Sequence, residues 1–351
     1  MHRGFIFSYM KKLIFVVNTI AIFVFASCTS SVKMVEVKSH GETMGSDFNI
    51  TYLDSAGRDV SGALDSLLLE FNAIFSTYDS TSVISQFNDS DTGIALIGSN
   101  LEWFTRLMIA ADSVYQYSHG AFNPAVAPLV KYWGFYGKQK SLEVDASQKT
   151  IDSLLVIAQW ENIYQYNQFL KKKNPKARLD VNAFAPGFAA DLLGEFLEYN
   201  NIHNYLIEIG GEVRARGVNA NKHNWTVAIM QPEELSKQYI STIALQNKAL
   251  ATSGNYNKYV MVEGKRYGHT INPHTGYPET NNLLSATIIT DEGIYADAFA
   301  TACMVMGFEN AKQFVENNSA LQAYFIYTDA EDNMQTWYSS GLKDLVEERK
   351  N

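Results

Sequence analysis

The chain changes hydrophobic period several times, and each change marks an element. Phe48-Asn49-Ile50-Thr51-Tyr52 alternates apolar with polar positions, the period of a half-buried strand. Val60, Leu64, Leu67, Leu68, Phe71 and Phe75 then recur at helical spacing, which predicts a helix over 60–75, and similar spacing returns over 100–117. Pro186 suits the first position of a third helix, running to about Asn200. Tyr205-Leu206-Ile207-Glu208-Ile209 and Trp225-Thr226-Val227-Ala228-Ile229 read as strands, and Val260–Val262 and Tyr267–His269 flank a Glu263-Gly264 turn, a hairpin signal. Residues 295–306 carry a helical pattern and 321–338 a final strand pair. No repeat, low-complexity stretch or Pro/Ser-rich linker interrupts the chain after roughly residue 40. The pattern predicts an α+β protein with one large central, mainly antiparallel sheet and flanking helices.

The first 27 residues follow none of these periods. Arg3, Lys11 and Lys12 precede an apolar run from Leu13 to Phe25, too short to span a bilayer comfortably and right for a secretory signal. The run ends Phe25-Ala26-Ser27-Cys28, small residues before a cysteine, which resembles the lipobox of bacterial lipoproteins. That resemblance implies acylation of Cys28 and a chain anchored in the lipid membrane, facing the periplasm. Met10-Lys11-Lys12 would make a more ordinary signal start than Met1, and an uncleaved anchor helix is the alternative. The expected organisation is a signal over 1–27, a tether over 28–40 and one folded domain over 41–345.

Composition adds two exclusions. Taking Arg3, Lys11 and Lys12 from the 28 Lys and Arg leaves 25 against 37 Asp and Glu. So acidic a surface argues against a nucleic-acid partner, because phosphate binding needs basic patches. Cys28 and Cys303 are the only cysteines; with Cys28 acylated, neither a disulfide framework nor a thiolate zinc site is available.

Five segments concentrate glycines and polar residues beyond what a core needs. They are Thr43-Met44-Gly45-Ser46; Ser76-Thr77-Tyr78-Asp79 with Ser82–Asn88; and Gly120-Ala121-Phe122-Asn123-Pro124, continuing to Trp133-Gly134-Phe135. The fourth is Leu179–Asp191 followed by Ile209-Gly210-Gly211-Glu212; the fifth joins Ala251–Tyr256, His269–Pro278 and Ala296–Ala302. Singly each has an ordinary explanation as a turn or core edge. In this order and spacing they resemble the ApbE family, the FAD:protein FMN transferases once described as thiamine-biosynthesis lipoproteins. The resemblance covers about residues 40–340. It is most specific in His269-x5-Thr275-Gly276-Tyr277-Pro278 and in Ala296-Asp297-x3-Thr301-Ala302. It implies a single ApbE-like, T-fold-like domain.

The residues carry chemistry of their own. Asp297 and Thr301 are four apart on an expected helix, so they share a face and offer hard oxygens suited to magnesium. A surface Asp with a packing Thr is the plain alternative. The resemblance implies that Asp297, Thr301 and the Ala183 backbone carbonyl bind Mg2+. The helix opening at Pro186-Gly187 has free N–H groups that can face a diphosphate. His269 is the candidate general base, since an unperturbed His titrates near neutral pH; a lone His at a strand end would otherwise be structural. His274 occupies a slot that is commonly another basic residue. By resemblance, Met44, Tyr78, Ala121, Phe122, Asn123, Asp180 and Ile271 line the flavin and adenosine parts of FAD, with Met44 and Phe122 flanking the rings.

Several positions depart from the family pattern. Asn123 replaces an Asp, Ala125 a Thr, Pro186 a frequent Lys, and Asn182-Ala183 two small residues. The implied activity is magnesium-dependent transfer of FMN from FAD to a Thr or Ser hydroxyl of an acceptor flavoprotein, typically a subunit of a membrane redox complex, with release of AMP. Two alternatives stay open: an FAD pyrophosphatase of the same fold, and a lipoprotein that binds flavin without chemistry.

Overall fold

Met44 and Gly45 both take positive φ, 50° and 74°, the backbone a two-residue turn needs to match the twist of its strands. That turn joins β1 (Val35–Thr43) to β2 (Ser46–Asp54) in an antiparallel hairpin. The computed structural model describes residues 33–136, 147–232, 238–255, 259–262 and 265–349. The expected signal and Cys28 lie outside the described residues, as do Tyr256 and the Glu263-Gly264 turn. Because β1 starts at Val35, the stretch expected as a tether to residue 40 is already sheet over its last part.

Next in chain order are α1 (Ser61–Phe75), α2 (Val83–Asp89), β3 (Gly93–Ala95), α3 (Ser99–Tyr117), α4 (Ala127–Tyr132), α5 (Gln148–Ile157), β4 (Ile163–Tyr166) and β5 (Phe169–Lys172). The second half comprises α6 (Ala185–Tyr199), β6 (Tyr205–Ile209), β7 (Glu212–Arg216), β8 (Trp225–Met230), β9 (Tyr239–Leu245), β10 (Lys248–Gly254), β11 (Tyr259–Val262) and β12 (Lys265–Gly268). It ends with β13 (Leu283–Thr290), α7 (Gly293–Met306), α8 (Phe308–Glu316), β14 (Gln322–Thr328), β15 (Met334–Tyr338) and β16 (Val346–Glu348).

Eight strands form one sheet in the order β1-β2-β6-β7-β10-β13-β14-β15, antiparallel at every pairing. This is the expected α+β architecture. Its two faces bury different partners. Ile207, Ile288, Ala323 and Phe325 face the helices, with Phe188 and Leu193 of α6 and Ala298 and Ala302 of α7 in the same core. Val213, Leu250, Ile289, Tyr324 and Ile326 face the other way, onto Trp225, Ile229 and Ile243 of a small sheet ordered β16-β9-β8. Three layers result, and the central strands lose the apolar–polar alternation of a half-exposed sheet. No helix among the described residues is long and apolar enough to cross a membrane.

One buried carboxylate fastens the end of β2 to the loop that leads into α1. Asp54 accepts from the backbone N–H of Ala56 and Arg58 at 3.0 and 2.8 Å, and from Arg58 Nη2 at 2.6 Å. The same guanidinium nitrogen also donates to the Asn200 carbonyl just beyond α6. The Arg58 hydrogen bond holds the Asp54 carboxyl at about 2, against burial. A carboxyl depressed in the folded state adds stability above its unfolded value of 3.8 and loses it as pH falls through about 2. Asp54→Asn is therefore expected to lower stability in urea titrations at pH 7, with the deficit shrinking between pH 4 and pH 2. A deficit of constant size across that window would place the effect outside the ion pair.

Candidate functional site at a helix crossing

Helices α6 and α7 approach until their backbones touch. A Cβ on Gly187 would stand 2.2 Å from the Gly293 carbonyl oxygen, and one on Gly293 would stand 2.4 Å from that of Gly187. Only glycine permits this approach. Below the contact, Ala296 of α7 packs on Ala249 and Ala251 of β10, so small side chains let the helix lie close to the sheet.

Two carboxylates flank the crossing. Asp297 Oδ2 accepts from Gly187 N–H at 3.2 Å, and Asp191 accepts from the N–H groups of Gly293 and Ile294 at 2.7 and 2.9 Å. Burial pushes the Asp191 carboxyl up to about 6, while Arg214 and those two amides oppose the shift. Asp297 is 5% exposed, and burial raises its carboxyl well above the usual carboxylate range, against the Gly187 amide. One turn along α7, Thr301 Oγ1 lies 3.2 Å from Ser253 Oγ on β10.

These residues fit a divalent cation. A buried carboxylate whose charge costs desolvation gains most from a nearby cation, and hydroxyl oxygens one turn away are hard donors. Among the described residues no group of three or more His, Cys, Asp or Glu side chains suits a metal. A cation here would therefore complete its shell with hydroxyl, carbonyl and water oxygens beside Asp297. Ala183, half-buried, lies in the turn that leads into α6, where Phe184 and Ala185 donate to the Val181 carbonyl. Pro186 takes the second position of α6, one later than expected, where its missing N–H leaves no bond unmade.

A second group gathers around Asp180. Its carboxylate accepts from Tyr136 Oη at 2.6 Å and from the Asn182 N–H at 2.9 Å, and its own N–H donates to the Pro124 carbonyl. Burial and then the Asp180 charge raise the Tyr136 phenol above its ordinary range. Thr77 Oγ1 donates to Asn182 Oδ1 at 3.3 Å, which brings the loop carrying exposed Tyr78 to the same place.

The segment 120–136 touches the remaining candidates. Phe122 is buried, edge-on to Phe184 at 5.2 Å. Ala121 and Ile271 are buried too. The Asn123 amide is engaged at both ends, accepting from Ala125 N–H at 2.8 Å and donating to the Ala158 carbonyl at 2.9 Å. In this chain it works as a cap. Trp133 Nε1 donates to the Gly276 carbonyl at 2.8 Å, and His269, half-buried just after β12, sets its ring edge-on to Phe135 at 6.5 Å. His274 is exposed and close enough that a Cβ on Gly120 would stand 3.0 Å from its Cε1. Asn272 Oδ1 accepts from the His274 and Thr275 N–H groups and shapes that loop. Among the described residues, Met44 joins neither group by a hydrogen bond; it packs against the main core.

Sequence reasoning missed Tyr136, Asp191 and Ser253 as parts of these groups. For Asp191 a signal existed: it stands four residues after Gly187, as Asp297 stands four after Gly293.

An antiparallel sheet covered by a glycine-seamed helix pair, with a buried carboxylate and hydroxyls at the seam, defines an α+β class with an oxygen-donor site. The ApbE family model matches residues 44–325, and the chain belongs to that family. A relative from Haemophilus influenzae named FAD:protein FMN transferase is 31% identical over 355 residues, spanning 97% of this chain and all of the relative. The Escherichia coli K12 protein of the same name is 31% identical over 282 residues, 79% of each chain. The solved structure of the flavin transferase ApbE from Vibrio cholerae superposes with a TM-score of 0.77 at 30% identity, covering 89% of this chain and 99% of that one.

The backbone contact makes a direct prediction. Gly187→Ala should destabilise the protein by about 3 kcal/mol, the upper part of the usual overpacking range, because a carbonyl rather than a flexible side chain must move. Chemical denaturation measures it, with Gly62→Ala in α1, which meets nothing within 4 Å, as the comparison expected to be slightly stabilising.

Proposed function

We propose that this chain is an FAD:protein FMN transferase, a transferase that moves FMN from FAD to a Thr or Ser hydroxyl of an acceptor flavoprotein. The observation that carries the reading is the buried Asp297 carboxylate with Thr301 one turn along the same helix, beside the start of α6, in a chain of this family. Asp297, Thr301 and the Ala183 carbonyl would hold Mg2+, whose contribution when bound is to offset charge on the pyrophosphate of FAD. The start of α6 offers the diphosphate no free N–H, contrary to expectation: Ala185 donates to the Val181 carbonyl, Gly187 to Asp297 and Phe188 to the Phe184 carbonyl, and Pro186 has none. Tyr78 and Asp180 orient the remainder of FAD, and the 120–124 and 271–278 loops shape its walls.

His269 takes the proton of the acceptor hydroxyl as its oxygen bonds to the FMN phosphorus. The phosphoanhydride bond breaks on the far side, and AMP leaves. The acceptor is a flavin-carrying subunit of a membrane redox complex, and Cys28 anchors the enzyme in the membrane on the periplasmic side, as the signal sequence suggests. Anchoring predicts that Cys28→Ser abolishes metabolic labelling with a fatty acid. An unlabelled wild type would end that part of the proposal.

Incubation with FAD and MgCl2 should release AMP, and mass spectrometry of a co-expressed acceptor should find covalent FMN. AMP without acceptor modification would favour the pyrophosphatase reading; neither product would leave flavin binding alone. Asp297→Ala should depress turnover most at low magnesium. His269→Asn should lower transfer by about 10²–10⁴-fold with little change in FAD affinity. His274→Asn, at an exposed position, should lose far less. Equal losses in the two histidine variants would assign the base elsewhere.

A further inference from the structure

A five-residue pattern occurs twice in this chain. Gly187-Phe188-Ala189-Ala190-Asp191 lies in the first turns of α6, and Gly293-Ile294-Tyr295-Ala296-Asp297 opens α7. The two glycines make the crossing, and each aspartate accepts from the opposite glycine's amide. The exchange is reciprocal in form and unequal in surroundings. Asp191 faces Arg214, whose Nη1 is 3.8 Å from Oδ1. Arg214 Nε and Nη1 are buried and make no hydrogen bond, so the guanidinium acts on Asp191 chiefly as a charge. Among the described residues no ion pair reaches Asp297; one turn along α7 stands Thr301, whose hydroxyl meets that of Ser253 on β10. Of two similar carboxylates, one carries a built-in cation and the other is left to recruit one.

We infer that Asp191 is the positioning residue of the cation site, fixing the first turn of α7 with Arg214 as its counter-charge, and through that turn the Asp297 carboxylate and Thr301 hydroxyl. The geometry gives the reason. Gly293 and Ile294 are the first two residues of α7, whose N–H groups have no partner within the helix, and both Asp191 oxygens are spent on them. Asp297 follows Gly293 by one turn and Thr301 by two, so any tilt or fraying of the helix start is passed to both ligands. Nothing in this role requires Asp191 to touch substrate or metal.

The inference rests on the reading of Asp297 as a cation ligand, and the test separates the two. Mn2+ is titrated into the metal-free full chain without FAD, and the free ion is followed by electron paramagnetic resonance to give the Kd of the tightest site. Asp191→Asn keeps one acceptor oxygen but no charge and should weaken that Kd about tenfold; Asp191→Ala should weaken it toward a hundredfold, the range for groups that orient metal ligands. Leu197→Ala, a buried cavity variant in the last turns of α6, is matched to them by its fall in Tm and should leave the Kd within about twofold. If Asp191→Ala does not fold, the Asn variant carries the comparison. Wild-type Mn2+ affinity in Asp191→Asn, or an equal loss in Leu197→Ala, overturns the positioning role. Asp297→Ala should abolish the tight site, and if it binds Mn2+ like wild type the cation reading itself has failed.

Discussion

The contact between Gly187 and Gly293 is the constraint on which the rest of the site depends. With each carbonyl oxygen within 2.4 Å of where the other residue's Cβ would stand, the two helices cross at a distance that only glycine at both positions allows. Once the crossing is fixed, the helix starts lie side by side and each is within reach of a carboxylate on the other. Opposed amide groups would otherwise leave two clusters of unmet donors in the interior. The aspartates answer that need, and burial, which raises both carboxyls, makes them a cost to folding at neutral pH. The chemistry of Asp297 thus stems from a packing decision made one turn earlier in the helix.

The layers around the crossing serve the same geometry. The sheet presents Ala249 and Ala251 where α7 must come close, and larger side chains such as Ile288 and Phe325 elsewhere on that face. Its opposite face is dry as well, closed by Trp225, Ile229 and Ile243. A sheet packed on both sides bends little, so Ser253 on β10 meets Thr301 from a rigid platform. The candidate loops sit at the margins of this block and are shaped by their own hydrogen bonds, Asn123 and Asn272 being the clearest cases.

Much of this was legible in the sequence because local pattern and final environment agree. The 60–75 helix and the strand about Ile50 each have one buried face, so their periods are 3.6 and 2, and both were found close to their true limits. Strand β13, Leu-Leu-Ser-Ala-Thr-Ile-Ile-Thr, was missed since burial on both faces erases the alternation. The chemistry divides in the same way. Asp297 and Thr301 share a helix face, and spacing alone pairs them. Asp180 with Tyr136 are 44 residues apart, and Asp191 with Gly293 are 102 apart; such pairings exist only after the sheet is assembled.

Trp133 has a use beyond its place in the core. Its indole is 1% exposed, packs against Tyr277 at 5.6 Å and bonds through nitrogen to the Gly276 carbonyl, so it sits at the joint between the 120–136 segment and the 270–278 loop. A dry, hydrogen-bonded indole emits toward the blue, and water reaching it shifts the emission red. With the other four tryptophans replaced, Trp133 is an optical gauge at the seam between those two loops, one that would register their separation or closure in solution without any label being introduced.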